Sequence, residues 1–179
     1  MAGAMTLLVV SDIHGKSDRL RAALAAQIKP PDAILFLGDG YADITRCEPL
    51  GSTLFAVRGN CDVWSLMGMT DLPAELTVTL GSYRILMMHG DRHGVSSGGI
   101  DRAAAYAASK GADILLYGHT HVKHEAHFAE GDTLGCVTLQ KPLHVFNPGS
   151  LGSPRDGGEP SFGVVELRDN GVLLSWGSV

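Results

Sequence analysis

Apolar residues along this chain come in short, nearly unbroken runs rather than long periodic stretches. Leu7-Leu8-Val9-Val10, Ala33-Ile34-Leu35-Phe36-Leu37 and Thr53-Leu54-Phe55-Ala56-Val57 are patterned as strands buried on both faces. Between the first two, Leu20, Ala23, Leu24 and Ile28 recur at helical spacing, with Ser17 or Asp18 placed to cap the helix and Pro30-Pro31 to end it. A short helix fits residues 42–47. This alternation predicts a parallel sheet with one active edge. Trp64 to Ala74 has no clear period and reads as a loop. Glu75 to Leu80 and Tyr83 to Met88 read as a hairpin around Gly81-Ser82. Asp101 to Ala112 is an alanine-rich helix thin enough to lie close on a sheet, and Ile114 to Tyr117 is a further strand. Short alternating segments follow around Cys136 to Leu139 and Leu143 to Asn147, then a glycine-rich loop from Gly152 to Pro160. Phe162 to Arg168 and Val172 to Trp176 flank the turn Asp169-Asn170-Gly171. The expected fold is α/β of the α+β sandwich kind. A β-α half precedes an antiparallel half, giving two packed mixed β-sheets flanked by helices in a single domain, 1–179.

Composition narrows the classes of function. A chain of 179 residues, 45% apolar and 18% charged, builds a real core and is not disordered. Its net charge of −5 and lack of a basic run argue against a nucleic-acid duplex as partner. A phosphate-bearing small molecule would need a local positive centre, which metal ions supply. Cys47, Cys61 and Cys136 are odd in number and far apart, as expected of reduced thiols in the cytoplasm rather than a disulfide framework. No apolar segment reaches the length of a membrane span, and the first run is too short for a secretory signal, so no membrane association is expected.

The chemistry lies at the strand ends. Asp12 and His14, Asp39, Asn60, His89, and His119 with His121 each follow an apolar run. Residues two apart in an extended chain share a face, so Asp12 and His14 are expected side by side. Caps do not need histidines, or an asparagine after glycine, so capping does not account for the set. Two ions sharing Asp39 would use the set economically, with Asp12, His14 and His121 completing one site and Asn60, His89 and His119 the other. Oxygen and nitrogen donors without a thiolate suit Mn²⁺, Zn²⁺, Fe or Ni better than Cu(I), and the set is too nitrogen-rich for Ca²⁺.

Asp12-x-His14-Gly15, Gly38-Asp39, Gly59-Asn60-Cys61-Asp62, His89-Gly90 and Gly118-His119-Thr120-His121 resemble, in order and spacing, the motifs of the calcineurin-like metallophosphoesterases. The small size, the Gly-Asn-Cys-Asp form and Asn147-Pro148-Gly149-Ser150 resemble the compact YfcE-type phosphodiesterase subfamily. The resemblance implies a β-sandwich flanked by helices, the same seven metal ligands and two divalent ions, manganese first among them. It also implies hydrolysis of a small phosphodiester by a metal-bridging hydroxide, the metals neutralising charge on the equatorial oxygens. Asn60, His89 and Cys61 form the expected catalytic group, and Asn60, as a neutral amide, leaves its ion more electrophilic than a third carboxylate would.

Many members place a histidine at the position of Cys61 to protonate the leaving group. A thiol is a poorer acid, which points to activated, aryl-type diesters; the other reading is that Cys61 only fills a small apolar space. Asp91 stands where relatives often have a histidine, leaving substrate contacts near His89 open. Asp62 either orients a neighbour or shapes a turn, and Asn147 does the same for its own loop. His93, His124, His127 and His144 follow no motif and read as surface or rim residues. Arg155 could reach a substrate phosphate.

A cysteine phosphatase would need an arginine six residues after its cysteine, where Thr53, Met67 and Pro142 stand. A mononucleotide-binding Gly-x-x-x-x-Gly-Lys is also missing. The remaining alternative is a non-catalytic metal-binding scaffold or protein-interaction subunit on the same fold, as in the retromer's small subunit, a relative of that subfamily. Whether the chain is a homo-oligomer is open.

Overall fold

The computed structural model describes residues 4–62 and 72–179. Two five-stranded mixed sheets stack face to face. The first runs in the order β12-β11-β1-β2-β3: β1 is Met5–Val10, β2 Ala33–Phe36, β3 Thr53–Ala56, β11 Ser161–Arg168 and β12 Gly171–Ser178. The second runs β4-β5-β6-β10-β7: β4 is Glu75–Leu80, β5 Tyr83–Met88, β6 Ile114–Tyr117, β7 Lys123–Phe128 and β10 Leu143–Pro148. A small ribbon pairs β8, Thr133–Leu134, with β9, Val137–Thr138.

Strand alternation explains why the early runs carry no polar break. Leu7, Val9 and Leu35 face Ile85, Met87, Leu116 and Phe146 in the core between the sheets. Leu8, Val10, Ile34 and Phe36 face outward, onto Leu20 and Ala23 of α1, Ser17–Ala25. On the far side, Ala103, Ala104 and Ala107 of α3, Ile100–Ser109, pack on Leu86, Met88 and Leu115. Methyl side chains let this helix lie close to the sheet. A short α2, Tyr41–Arg46, follows β2. The central strands β1, β2, β5 and β6 are therefore buried on both faces, and the core needs no long amphipathic helix.

Several expectations change. α1 begins without a side-chain cap: Lys16 is the N-cap and Ser17 is already helical, because the turn after His14 closes through the Lys16 N–H to the Ile13 carbonyl. The helix stops at Ala25, which leaves Ile28 fully exposed. The two packed mixed sheets are as expected, and each draws strands from both the β-α part and the later part of the chain. β11 returns to pair antiparallel with β1 while β1, β2 and β3 run parallel. β7 had no signature in the apolar pattern: it is an edge strand, Lys-His-Glu-Ala-His-Phe, paired among the described residues with β10 alone. The loop expected from Trp64 lies outside the described residues up to 71.

Asp12 and His14 are not extended either. β1 ends at Val10, and both residues take positive φ, 54° and 46°. They come together through a turn pinned by Asp12 and Ile13 N–H bonds to the carbonyls of Gly38 and Asp39, not by sharing a strand face.

Candidate metal centre

The loops after β1, β2, β3, β5 and β6 meet at one edge of the sandwich, and all seven residues expected as ligands come with them. His121 Nε2 lies 3.1 Å from Asp12 Oδ1 and 3.3 Å from His14 Nε2. His14 Nε2 is 3.8 Å from Asp12 Oδ1 and 3.9 Å from Asp39 Oδ2. In the other half, His89 Nε2 is 3.1 Å from Asn60 Oδ1, 3.2 Å from His119 Nδ1 and 3.4 Å from Asp39 Oδ2. Asp39 thus faces both halves, and so does Asp12, whose Oδ1 is also 4.0 Å from His89 Nε2. Asp12, His14 and His121 form one cluster of ligand spacing; Asp12, Asp39 and His89 form another.

What these atoms require follows from their outer partners. His121 Nδ1 faces the Ser153 carbonyl at 2.7 Å, and His89 Nδ1 faces the Leu37 carbonyl at 2.8 Å. A carbonyl only accepts, so each Nδ1 carries the hydrogen and each Nε2 of the neutral ring turns a lone pair to the centre. Those lone pairs meet oxygens of Asp12, Asp39 and Asn60, which are acceptors too. Asp12 Oδ1, fully buried, makes no hydrogen bond of acceptable geometry. Acceptors facing acceptors at about 3 Å call for a cation between them.

In the metal-free chain a proton on His89 takes that place. Burial opposes charging His89, but its hydrogen bond to Asp39 and the charges of Asp12 and Asp39 outweigh burial and push it up to about 9. The Asp12 carboxylate beside it raises His121 as well. Burial likewise works against ionising Asp39, yet His89 and the Cys61 N–H hold its carboxyl well below the usual range. His119 is lowered, first by burial and then by the charge of His89. Divalent ions would occupy the same ground, and the nitrogen–oxygen donor set fits them.

An outer layer fixes the donors. Asp12 Oδ2 accepts from the Ser11 hydroxyl at 2.6 Å and the His119 N–H at 3.1 Å. Asp39 Oδ1 accepts from the Cys61 N–H at 2.7 Å. Asp62 gathers the N–H groups of Asp39, Gly40, Tyr41 and Gly59. Of its two expected roles it fills both, bracing the β2 turn and orienting Asp39. Asn147 ties the Gly118 carbonyl and the Thr120 hydroxyl. Two of the motif glycines, Gly59 and Gly118, are needed for closeness rather than for unusual φ, whereas Gly15, Gly38 and Gly90 take positive φ. A Cβ on Gly118 would run into Ser11 Oγ and lie 3.0 Å from Asp12 Oδ2, and one on Gly59 would run into Asp39 Oδ1.

Cys61 is exposed, with Sγ within 4.8 Å of ligand atoms of His14 and Asp39. Burial, then the hydrogen bond and charge of Asp39, push its thiol up to about 11. Sequence reasoning missed Ser11 and Asp43. Asp43 is a buried acid that accepts from the Gly15 N–H at 2.9 Å, and it follows no motif that would reveal it. The unassigned histidines pair elsewhere: His93 with Glu75 and Tyr106, His124 with Tyr117, and His127 with His144.

Residues 5–170 match the model of the calcineurin-like phosphoesterase superfamily domain. The probable metallophosphoesterase YsnB of Bacillus subtilis is 28% identical over 171 residues, 95% of this chain and 89% of its own length. The phosphodiesterase YfcE of Escherichia coli K12 is 28% identical over 188 residues, 94% of this chain and 90% of its own. Among solved structures, a predicted phosphoesterase from Streptococcus pneumoniae TIGR4 is 26% identical with TM-score 0.71, covering 98% of this chain and 90% of that one. Vps29 from Chaetomium thermophilum, at 20% identity and TM-score 0.67 over 98% and 96% of the chains, shares the fold.

Proposed function

The chain belongs to the calcineurin-like phosphoesterase superfamily, and on that premise we propose that it is a phosphodiesterase that works with two divalent ions, manganese first, on activated, aryl-type diesters. The observation that carries the reading is the pairing of inward lone pairs on His89 and His121 with buried carboxylates, an arrangement that needs a cation. Asp39 would be shared, with Asp12, His14 and His121 on one side and Asn60, His89 and His119 on the other. When bound, such ions polarise phosphoryl oxygens and lower the pKa of water.

The chain's own part is to hold and tune. Asp39, kept ionised far below neutrality, and Asp12 bring negative charge to the centre. Asn60 contributes a donor oxygen without adding charge. The carbonyls of Leu37 and Ser153 aim the two imidazoles and fix their tautomers. Cys61 stays a thiol up to about pH 11, so near neutrality it serves neither as nucleophile nor as an effective proton donor. A leaving group that departs without a proton, such as a nitrophenolate, suits this site.

Hydrolysis of bis-(p-nitrophenyl) phosphate by protein loaded with Mn²⁺, Zn²⁺, Fe²⁺ or Ni²⁺ tests the reading: turnover with bound metal, lost in Asp39→Asn, is expected. A metal-replete protein inert toward a broad phosphoester panel would favour the scaffold alternative. Cys61→His should raise turnover of alkyl phosphodiesters about tenfold or more and change aryl diesters little; equal effects on both classes, with metals retained, would refute the leaving-group account.

A further inference from the structure

We propose that Arg155 is a specificity-determining residue that grips an anionic oxygen of the substrate's phosphoryl group on the His121 side, a role that rests on the phosphoesterase reading. The loop that carries it is stitched to the centre. Ser150 Oγ and the Gly152 N–H both donate to the Asp12 carbonyl at 2.8 Å. His121 Nδ1 donates to the Ser153 carbonyl, and the Arg155 N–H donates to the His121 carbonyl at 2.9 Å. Arg19 holds the same loop from behind through the carbonyls of Leu151 and Gly152. The main chain at Arg155 is therefore fixed one hydrogen bond from a residue of the centre.

Its side chain is exposed and makes no hydrogen bond or ion pair among the described residues. The adjacent acid is committed elsewhere: Asp156 accepts from the N–H groups of Gly158 and Lys123 and lies 3.7 Å from Lys123 Nζ. The surroundings, Asp12, Asp39, Asp62 and Asp91, repel an anion. A planar cation with paired N–H donors is the side chain that matches phosphate oxygens.

The test uses the full chain loaded with Mn²⁺, inorganic phosphate as probe, and the variants Arg155→Met and Arg155→Lys. Phosphate affinity by titration calorimetry, KM and kcat for bis-(p-nitrophenyl) phosphate, and bound metal are measured on each. Arg155→Met should weaken phosphate and raise KM roughly tenfold, the loss of one charge-assisted contact, with kcat and metal content within about twofold and partial recovery in Arg155→Lys. Phosphate binding unchanged in Arg155→Met, loss of metal in that variant, or no phosphate binding by the wild type would each overturn the proposal. Phosphate binding that depends on Arg155 in a protein without hydrolytic activity would uphold it while the catalytic reading fails. Hydrolysis that continues with phosphate binding indifferent to Arg155 would do the reverse.

Discussion

Asp12, His14, Asp39, His119 and His121 have φ between 46° and 67°, and they are the non-glycine residues with positive φ among those described. Each belongs to the proposed ligand set. A side chain in this region costs roughly 1–2 kcal/mol through contact of Cβ with the backbone, so the centre concentrates strain where donors must be aimed. Half-buried His14 isolates the effect. His14→Gly and His14→Ala both remove the imidazole, yet in the metal-free chain the glycine variant should be more stable by about 1 kcal/mol, the reverse of the usual order. Urea unfolding of the chelator-treated variants measures it, and an alanine variant of equal or greater stability contradicts it.

His89 supplies a second test. It holds its proton up to about pH 9 without metal, and ligation requires the neutral ring. Metal affinity should therefore rise with pH towards 9, with a proton released on binding at pH 7.5; titration in buffers of different ionisation enthalpy would detect it. In the metal-free chain this histidine's contribution to stability is complete below its ordinary value of 6.5 and disappears as pH rises through about 9. A metal affinity that is flat between pH 7 and 9 would count against a protonated His89.

At the scale of elements, the site is an assembly of strand ends, and Asp62 joins two of them. By accepting N–H groups from Asp39, Gly40, Tyr41 and Gly59 it ties the end of β2 to the end of β3. Asp62→Ala should destabilise the fold by about 3 kcal/mol and weaken metal binding, with Asp62→Asn intermediate; a change within about 0.5 kcal/mol would mean the turns hold without it. This brace was half legible beforehand, since an acid two residues after Asn60 marks a turn but not its four donors. Leu7–Val10 and Ala33–Phe36 were legible as strands because double burial leaves no polar position. β7 was not, because an edge strand half in solvent has no need of an apolar pattern. The positive φ at His14 was also hidden: the sequence shows which donors follow a strand, while their turn geometry depends on Gly38 and Asp39, more than twenty residues away.

At the scale of the molecule, the proposed ligands come from both sheets: Asp12, His14, Asp39 and Asn60 follow strands of the first, and His89, His119 and His121 follow strands of the second. Asp12 and His121 meet across the sandwich at 3.1 Å. Ions held there would clamp the two sheets at one edge, so binding energy would add directly to the stability of the packed pair. The most direct measurement is anomalous diffraction at the manganese edge from crystals grown with Mn²⁺. Two peaks are expected, one touching Asp12, His14 and His121, the other Asn60, His89 and His119, with Asp39 on both. A peak pattern that leaves Asp39 touching no ion, or one that lies away from these seven residues, would contradict the account.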